Sequence, residues 1–273
     1  MKFDEEIAIE KARENKVVKD NQLIQNITRS KFELTATEQK MVGYIVSMIK
    51  PREPGQEHVL RYEFDIRHFC KICGIDFDNG ANYAYIKDSL KKLRDKSFWI
   101  TDALGDEVLL SWIESPKIHK RSGKVGIRIS EEMIPYLYDL QARFTSYELY
   151  QILALKSTYS IRLYELLASY AFTGQQKFSI EDLKRLIQCP HKEYKDLRRY
   201  AIEPAVKEIN EFTNLVVTWE PIKNGRRVDA IKFTMTRKKT IDSYEAYRKT
   251  LAELNGVNEK RIGGQLNLFE FME

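Results

Sequence analysis

Four basic side chains lie close together in one short stretch of the sequence, Lys192, Lys195, Arg198 and Arg199. Arginine carries a planar fork of N–H donors that matches the O6 and N7 acceptors of guanine, whereas lysine presents a compact ammonium group suited to phosphate. At the start of a helix, such a cluster indicates a surface that reads double-stranded DNA. The alternative is that these side chains form the solvated face of an ordinary helix.

A second set of basic residues falls in the first half of the chain, in a stretch with helical periodicity. If Ile86, Leu90 and Leu93 form its buried stripe, Ala81 and Ala84 face solvent beside the charged residues. Small residues near the start of a helix allow close approach to base edges, and lysines further along reach phosphates. The basic candidates here are Lys87, Lys91 and Lys92.

Two predicted hairpins carry further basic residues at their tips. In the first, His119–Ser122 joins predicted strands Trp99–Ile118 and Gly123–Ser130, and in the second the loop contains Asn224-Gly225. Basic side chains at such tips would flank the DNA grooves and contact the backbone. They are Lys120, Arg121 and Lys124 in the first hairpin, and Lys223, Arg226 and Arg227 in the second.

Positive charge is concentrated in one part of the chain. The whole sequence has 45 basic and 40 acidic residues, a net charge of +5. Between Lys184 and Lys239 there are 14 basic and 7 acidic residues, so this stretch alone carries +7. A local field of one sign favours a phosphate backbone as partner, although a soluble basic surface is the alternative reading of charge alone.

Residue patterns typical of enzymes on DNA are missing from the sequence. The histidines are His58, His68, His119 and His191, and no two have the His-x-His spacing of metal-dependent nicking enzymes. The single Gly-Lys pair, Gly123-Lys124, is followed by valine rather than by the Ser or Thr of a phosphate-binding loop. We therefore expect neither strand cleavage by that route nor ATP-driven unwinding, and no enzyme activity.

The cysteines have one spacing that is also found in zinc sites. Cys70 and Cys73 form a Cys-x-x-Cys pair with His68 nearby, while Cys189 and His191 are distant in sequence. A structural zinc needs four ligands, usually in paired clusters, and the apolar neighbours favour burial. We expect plain core cysteines, with no metal and no cofactor.

The sequence also indicates the cellular compartment of the protein. An odd number of cysteines, three, and the lack of an apolar N-terminal segment favour the reducing cytoplasm. The longest strongly apolar stretch, Met41–Ile49, is roughly half of a bilayer span. No membrane partner is expected.

The elements that would carry the basic residues occur twice. The first match is Phe64, Ile66 and Phe69 with Phe178, Ile180 and Leu183. The second is Ile86, Leu90 and Leu93 with Ile202, Val206 and Ile209. The third is Phe98–Ile100 with Leu215–Val217. The offset is 114 residues for the first sets and 116 for the second. Strand, helix, helix and basic hairpin is the pattern of a winged helix. The sequence therefore predicts an α+β fold of two tandem winged-helix domains related by internal duplication.

Four segments follow from this repeat: a flexible N-terminal arm (1–16), a first domain (17–143), a second domain (144–256) and a C-terminal tail (257–273). The tail contains Gly263-Gly264 and then an apolar motif with a glutamine amide, suited to a partner's apolar pocket. Its alternative is docking on its own domain. The motif residues are Gln265, Leu266, Leu268 and Phe269.

Local signals place the ends of several helices. Thr35 and Glu38 have capping-box spacing, and Ser179 is placed to cap the helix that follows it. A helix over Glu193–Phe212 is expected to kink or restart at Pro204, because proline lacks the N–H that a helix interior needs.

Several separated motifs resemble, in order, plasmid replication initiators of the RepB / Rep_3 family. The resemblance covers roughly residues 17 to 238. The matching segments are Val17–Ile24, Leu34–Lys40, Phe144–Tyr147, Tyr159–Leu167, Pro204–Asn210 and Gly225–Val228.

This resemblance implies two winged helices that bind directly repeated origin sequences in successive major grooves. It implies a second domain that contacts bases, in agreement with Arg198 and Arg199, and a first domain for dimerisation and backbone binding. Monomers in equilibrium with homodimers would start replication, while dimers repress the protein's own promoter. Gln265 to Phe269 is similar to the peptide that binds the bacterial sliding clamp. Further implied partners are the host replication initiator, helicase and chaperones.

Two other functions remain open at this stage. A transcriptional repressor without initiation activity would need the same DNA surface, and only the clamp-like tail separates it from an initiator. A nicking enzyme of rolling-circle replication is disfavoured by the histidine spacing, and a cleavage assay with magnesium or manganese would decide.

Overall fold

In a computed structural model, two units with the same β–α–α–β–β plan follow each other along the chain. The predicted α+β fold with two tandem winged helices is confirmed. The residues that the structure describes are 2–25, 34–50, 55–75, 80–101, 105–140 and 143–256.

The first unit is preceded by three elements and a helix that packs in its core. These are α1 (Lys2–Glu14), β1 (Lys16–Asp20), α2 (Asn21–Gln25) and α3 (Ala36–Ser47). The unit itself consists of β2 (Arg61–Asp65), α4 (Ile66–Ile72), α5 (Gly80–Asp95), β3 (Ser97–Thr101), β4 (Glu107–Ser111), β5 (Glu114–His119) and β6 (Lys124–Arg128).

A connecting region leads to the second unit. It contains a 3₁₀ turn (Glu131–Met133), α6 (Ile134–Leu137), β7 (Phe144–Glu148), α7 (Tyr150–Leu153), α8 (Thr158–Ser169) and a 3₁₀ turn (Ala171–Thr173). The second unit is β8 (Gln175–Ser179), α9 (Ile180–Leu186), α10 (Tyr194–Asp196), a π-helical segment (Leu197–Ile202), α11 (Glu203–Phe212), β9 (Leu215–Asn224) and β10 (Arg227–Arg237). Helix α12 (Thr240–Leu254) follows it.

The sheets of the two units have the same antiparallel order, β2-β6-β5 and β8-β10-β9. Strand β5 therefore takes the place of β9, so the predicted match of Phe98–Ile100 with Leu215–Val217 is wrong. The predicted strand Trp99–Ile118 is also wrong, because β3 and β4 form a separate hairpin inserted after α5. Gly105, with a φ of +92°, supplies the left-handed backbone at that reversal.

The two apolar stripes predicted from the repeat lie in the core. Ile86, Leu90 and Leu93 are at most 2% exposed, and Ile202 and Ile209 are fully buried. Buried side chains of both units belong to one continuous hydrophobic core. The units are therefore packed together by the same apolar burial that forms each of them.

The helix caps repeat as the elements do. Asp65 Oδ1 accepts a hydrogen bond from the His68 backbone N–H at 3.0 Å, and Ser179 Oγ accepts one from the Asp182 N–H at 3.0 Å. Each cap starts the first helix of a winged-helix unit, α4 or α9. The predicted capping box at Thr35 is also confirmed, with reciprocal bonds to Glu38.

Residues 2–16, within the predicted flexible arm (1–16), form a helix and the start of a strand. Lys2–Glu14 form a helix whose Arg13 is only 1% exposed, and β1 pairs antiparallel with β7. Sequence periodicity gave no sign of this because α1 is mostly charged and its anchor is an arginine. Strand β7 connects the two halves, so the start of the chain is tied to the linker between the units.

Candidate nucleic-acid interface

A continuous helical stretch, α10 through α11, presents the basic cluster of the second unit. Its middle turn is π-helical, and the Glu203 N–H donates to the carbonyl oxygen of Arg198, five residues back. Pro204 has no N–H to offer Tyr200 four residues back, and its ring would clash with that carbonyl in a regular α-helix. The predicted kink at Pro204 therefore takes the form of a wider turn just before the proline.

Arg198 lies at this wide turn with 54% of its side chain exposed. Its Nε donates to Glu203 Oε1 at 2.7 Å. Its Cζ lies 6.0 Å from the ring centroid of Trp219, which belongs to β9. The hydrogen bond and negative charge of Glu203 raise the pKa of the Arg198 guanidinium. Arg198 is thus a permanent cation held at the surface by a helix residue and a sheet residue.

An exposed aromatic ring accompanies the second arginine. Arg199 Cζ lies 5.4 Å from the ring centroid of Tyr200, which is 51% exposed. The Tyr200 ring is in turn 5.4 Å from His191, between centroids. Lys192 is exposed just before the helical stretch begins, and Lys195 is exposed in its first turn. Together these side chains present cations and a flat apolar surface on one exposed stretch of the helix.

The strands of the second hairpin pair up to its tip, so Asn224, predicted to lie in the loop, belongs to β9. Asn224 pairs with Arg227, so only Gly225 and Arg226 form the turn. Gly225 has a φ of +60°, a backbone conformation that a tight hairpin turn requires and that favours glycine. The basic residues Lys223, Arg226 and Arg227 are all exposed at this tip.

Helix α5 carries the basic residues of the first unit. Lys87, Lys91 and Lys92 are exposed on the side opposite the buried stripe, as the helical wheel predicted. Lys92 Nζ lies 2.6 Å from Asp88 Oδ2, and this hydrogen bond raises the pKa of the Lys92 ammonium group. Lysine ammonium groups at such positions can neutralise phosphates without reading bases.

The first hairpin tip lies between β5 and β6. Lys120 and Arg121 are exposed in the turn. Lys124 Nζ lies 2.7 Å from Glu63 Oε1, and this hydrogen bond raises the pKa of the Lys124 ammonium group. The first tip therefore presents two cations in the turn and a third that shares its charge with a carboxylate.

The cysteines lie in the core, as predicted. Cys70 and Cys73 are 0% and 4% exposed, and Cys189 is also buried. Burial raises the pKa of the Cys70 thiol to about 11 and that of Cys73 to about 12. Among the described residues, no cluster of His, Cys, Asp and Glu could hold a metal ion. Across the same described parts of the chain, no helix is long and apolar enough to span a bilayer.

Sequence reasoning missed three side chains at the second-unit surface: Glu203, Trp219 and Tyr200. Glu203 stands five residues after Arg198, a spacing at which an α-helix does not bring side chains together. Trp219 reaches Arg198 from the sheet, which no local pattern reveals. The tail motif Gln265, Leu266, Leu268 and Phe269 lies outside the described residues.

Comparison with known proteins gives matches along most of the chain. Residues 16–168 match the family model described as Initiator Replication protein, WH1, and residues 179–235 match the one described as Initiator Rep protein, WH2. An Escherichia coli replication initiation protein is 23% identical over 237 residues, covering 83% of this chain and 72% of the relative. An uncharacterized 27.6 kDa protein of Escherichia coli is 27% identical over 132 residues, covering 47% of this chain and 55% of its own length.

A solved structure has the same fold. The crystal structure of Pi initiator protein in complex with iteron DNA superposes with a TM-score of 0.65. The similarity covers 83% of this chain and 99% of the other at 18% sequence identity.

Proposed function

Because the chain belongs to the Rep3 family of initiator replication proteins, as its motifs predicted, we propose that it binds repeated origin DNA sequence-specifically and starts plasmid replication. The observation that supports this most is the paired arrangement of exposed basic helices and basic hairpin tips in two winged-helix units. The solved relative bound to iteron DNA has this fold, which is compatible with the same use here.

The two units have different chemistry and therefore different proposed roles. The helix of the second unit offers Arg198 and Arg199 for base edges, with Lys192 and Lys195 for phosphates. The first unit offers lysines on α5, whose compact ammonium groups suit phosphates rather than base edges. The second unit would then set sequence preference, while the first strengthens binding to any duplex.

The first unit also has an exposed apolar surface that suits self-association. On the hairpin β3–β4, Trp99 and Leu109 are directly paired and are 42% and 50% exposed. Tyr85 of α5, 43% exposed, adds a third large side chain in this unit. Covering these side chains with a second copy would remove apolar surface from water. Homodimers formed in this way would repress the promoter, and monomers would occupy the origin.

Further parts of the proposal rest on the sequence alone. We keep 17–143 and 144–256 as the functional division, although β1 and β7 join the two halves. The tail motif, Gln265 to Phe269, would bind the sliding clamp, and the bound complex would recruit the host initiator, helicase and chaperones. The protein would act in the bacterial cytoplasm by binding and bending DNA, without catalysing a reaction.

Footprinting the full chain on DNA from its own replicon tests this proposal. We expect protection at regularly spaced direct repeats, with a period near a multiple of the helical turn, about 10.5 base pairs. Uniform protection without repeats would contradict origin recognition.

A replication assay separates an initiator from the alternative, a repressor without initiation activity. A plasmid that carries the repeats but lacks its own initiator gene should be maintained only when this chain is supplied in trans. Repression of the promoter without plasmid maintenance would favour the repressor.

A further inference from the structure

The ion pair between Arg198 and Glu203 depends on the unusual turn between them. In a regular α-helix, residues five apart point about 140° away from each other around the axis. The π-helical segment Leu197–Ile202 closes bonds over five residues instead, which brings such residues nearly above one another. The 2.7 Å contact between Arg198 Nε and Glu203 Oε1 is therefore a product of this turn and of Pro204 behind it.

Trp219 restrains the same guanidinium from a second direction. Its ring centroid is 6.0 Å from Arg198 Cζ, within the range of a cation–π interaction. Trp219 is half-buried on β9 and pairs across the sheet with the fully buried Phe233. The ring is thus held by a rigid strand whose far end is the basic hairpin tip.

These two contacts leave one edge of the guanidinium for a ligand. The Nε of Arg198 already donates to the carboxylate of Glu203, and the ring of Trp219 lies close to the guanidinium group. The two Nη groups form the end of the fork, and their spacing matches the O6 and N7 acceptors of guanine in the major groove. An arginine held this way has lost much of its rotamer freedom before DNA arrives.

We propose that Glu203 and Trp219 are positioning residues that fix Arg198 for end-on reading of one guanine in each repeat. This inference rests on the proposed function, because it requires that the chain reads origin DNA. Glu203 also favours contact of Arg198 with a base over contact with the DNA backbone, because its carboxylate repels phosphate. Sequence preference at that base pair then depends on a residue that need not touch the base.

The test compares binding of the full chain to two duplexes of equal length, one with the repeat and one scrambled, at fixed salt. Glu203→Gln removes the charge and keeps the side-chain shape. We expect it to lower the ratio of specific to nonspecific affinity about 2- to 5-fold, the range that an exposed ion pair supports. Trp219→Leu should also lower the ratio of specific to nonspecific affinity.

Glu253→Gln is the matched control. Glu253 forms an exposed ion pair of the same length, 2.7 Å, with Lys156, and the two glutamates are similarly exposed at 42% and 44%. Glu253→Gln removes one negative charge, as Glu203→Gln does. Any general gain in DNA affinity from the lost charge therefore appears in both variants. The affinity ratio of the control should stay at the wild-type value.

A double-variant cycle separates positioning from other effects. In an Arg198→Ala background, Glu203→Gln should leave the ratio unchanged, because there is no guanidinium left to orient. The inference is overturned if the ratio falls equally in both backgrounds, or if Glu203→Gln behaves like the control. If wild-type protein binds both duplexes equally, the proposed function itself fails, and the inference falls with it.

Discussion

Arg13 in the first helix donates from Nε to the carbonyl oxygen of Ile72 at 2.9 Å. Its Nη2 donates to the carbonyl of Lys71 at 2.9 Å, and its Nη1 to Asn255 Oδ1 at 3.2 Å. The first two acceptors belong to the last turn of α4, whose carbonyls have no partner within the helix. Asn255 ends α12, so one side chain joins the beginning of the chain, the first winged helix and the last helix.

Replacing Arg13 should therefore destabilise the whole protein. We expect Arg13→Met to lower the free energy of unfolding by about 2–4 kcal/mol, because the buried Ile72 carbonyl loses its donor and the hydrogen bonds to Lys71 and Asn255 are also lost, while much of the apolar volume is kept. Urea denaturation at equilibrium measures the change. The exposed Lys11 on the same helix provides a control, since Lys11→Met should stay within about 0.5 kcal/mol of wild type. Equal effects of both substitutions would contradict the structural role.

Arg198 should carry base recognition rather than general affinity. We expect Arg198→Ala to weaken binding to the repeat about 5- to 150-fold, with a much smaller loss on scrambled DNA. The reason is that an arginine contact to a guanine is lost only where the guanine is present. Fluorescence anisotropy with both duplexes gives the two affinities. Equal losses on the two DNAs would refute base reading by this residue.

Lys91 and Lys92, in contrast, should contribute to general DNA affinity rather than to base recognition. Replacing both by alanine should lower affinity for every sequence and reduce the slope of log affinity against log salt by up to about 2, one unit for each lost phosphate contact. Binding to both duplexes over a series of salt concentrations measures this slope. The preference for the repeat should be retained, in contrast to Arg198→Ala. An unchanged slope would count against phosphate contacts by α5.

Alkaline pH should lower the free energy of unfolding through the buried thiols. The pKa of Cys70 rises to about 11 and that of Cys73 to about 12 on burial, above the ordinary value near 8.5. The unfolded chain therefore loses these protons first, and the free energy of unfolding should decrease as the pH rises from about 9 to about 12. Denaturant midpoints across this range measure the trend, and buried tyrosines add to it.

A variant separates the thiols from the tyrosines. Cys70→Ala with Cys73→Ala costs core packing at every pH, but its stability should fall less steeply above pH 9 than that of wild type. Identical slopes for the two proteins would show that the thiols do not contribute.

The tail motif should be separable from DNA binding. Substituting Gln265, Leu268 and Phe269 by alanine should abolish clamp binding and plasmid maintenance while leaving the affinity for the repeat unchanged. Asn267→Ala, inside the motif but not one of its anchors, is the control. Surface plasmon resonance with immobilised clamp and the maintenance assay report the two activities. Loss of DNA binding in the triple variant would indicate instead that the tail docks on its own domain.

Local patterns predicted much of the fold because they are repeated in the sequence. Ile86, Leu90 and Leu93 could be assigned to a core stripe from spacing alone, and Ser179 could be assigned as a cap from its position before an acidic turn. Such signals depend on neighbours within one or two turns of a helix, so the printed sequence contains them.

Features that depend on distant residues could not be predicted in this way. The β3–β4 hairpin interrupts the repeat, and its strand pattern merges with that of β5 in the sequence. The docking of α1 depends on Arg13, a residue type that is rarely buried without partners. The contact of Arg198 with Glu203 requires a π turn, and its contact with Trp219 requires the sheet to be in place.

The pairing of β1 with β7 has a consequence for how the protein is made. The nearest paired residues, Asp20 and Phe144, are 124 positions apart, so the ribosome needs roughly 6–25 s to supply the second strand. Until then the first strand has an unsatisfied edge, and protease added to stalled nascent chains shorter than 144 residues should cut within residues 16–20. Synthesis would thus yield no finished front half until the linker strand that leads into the second unit has been made.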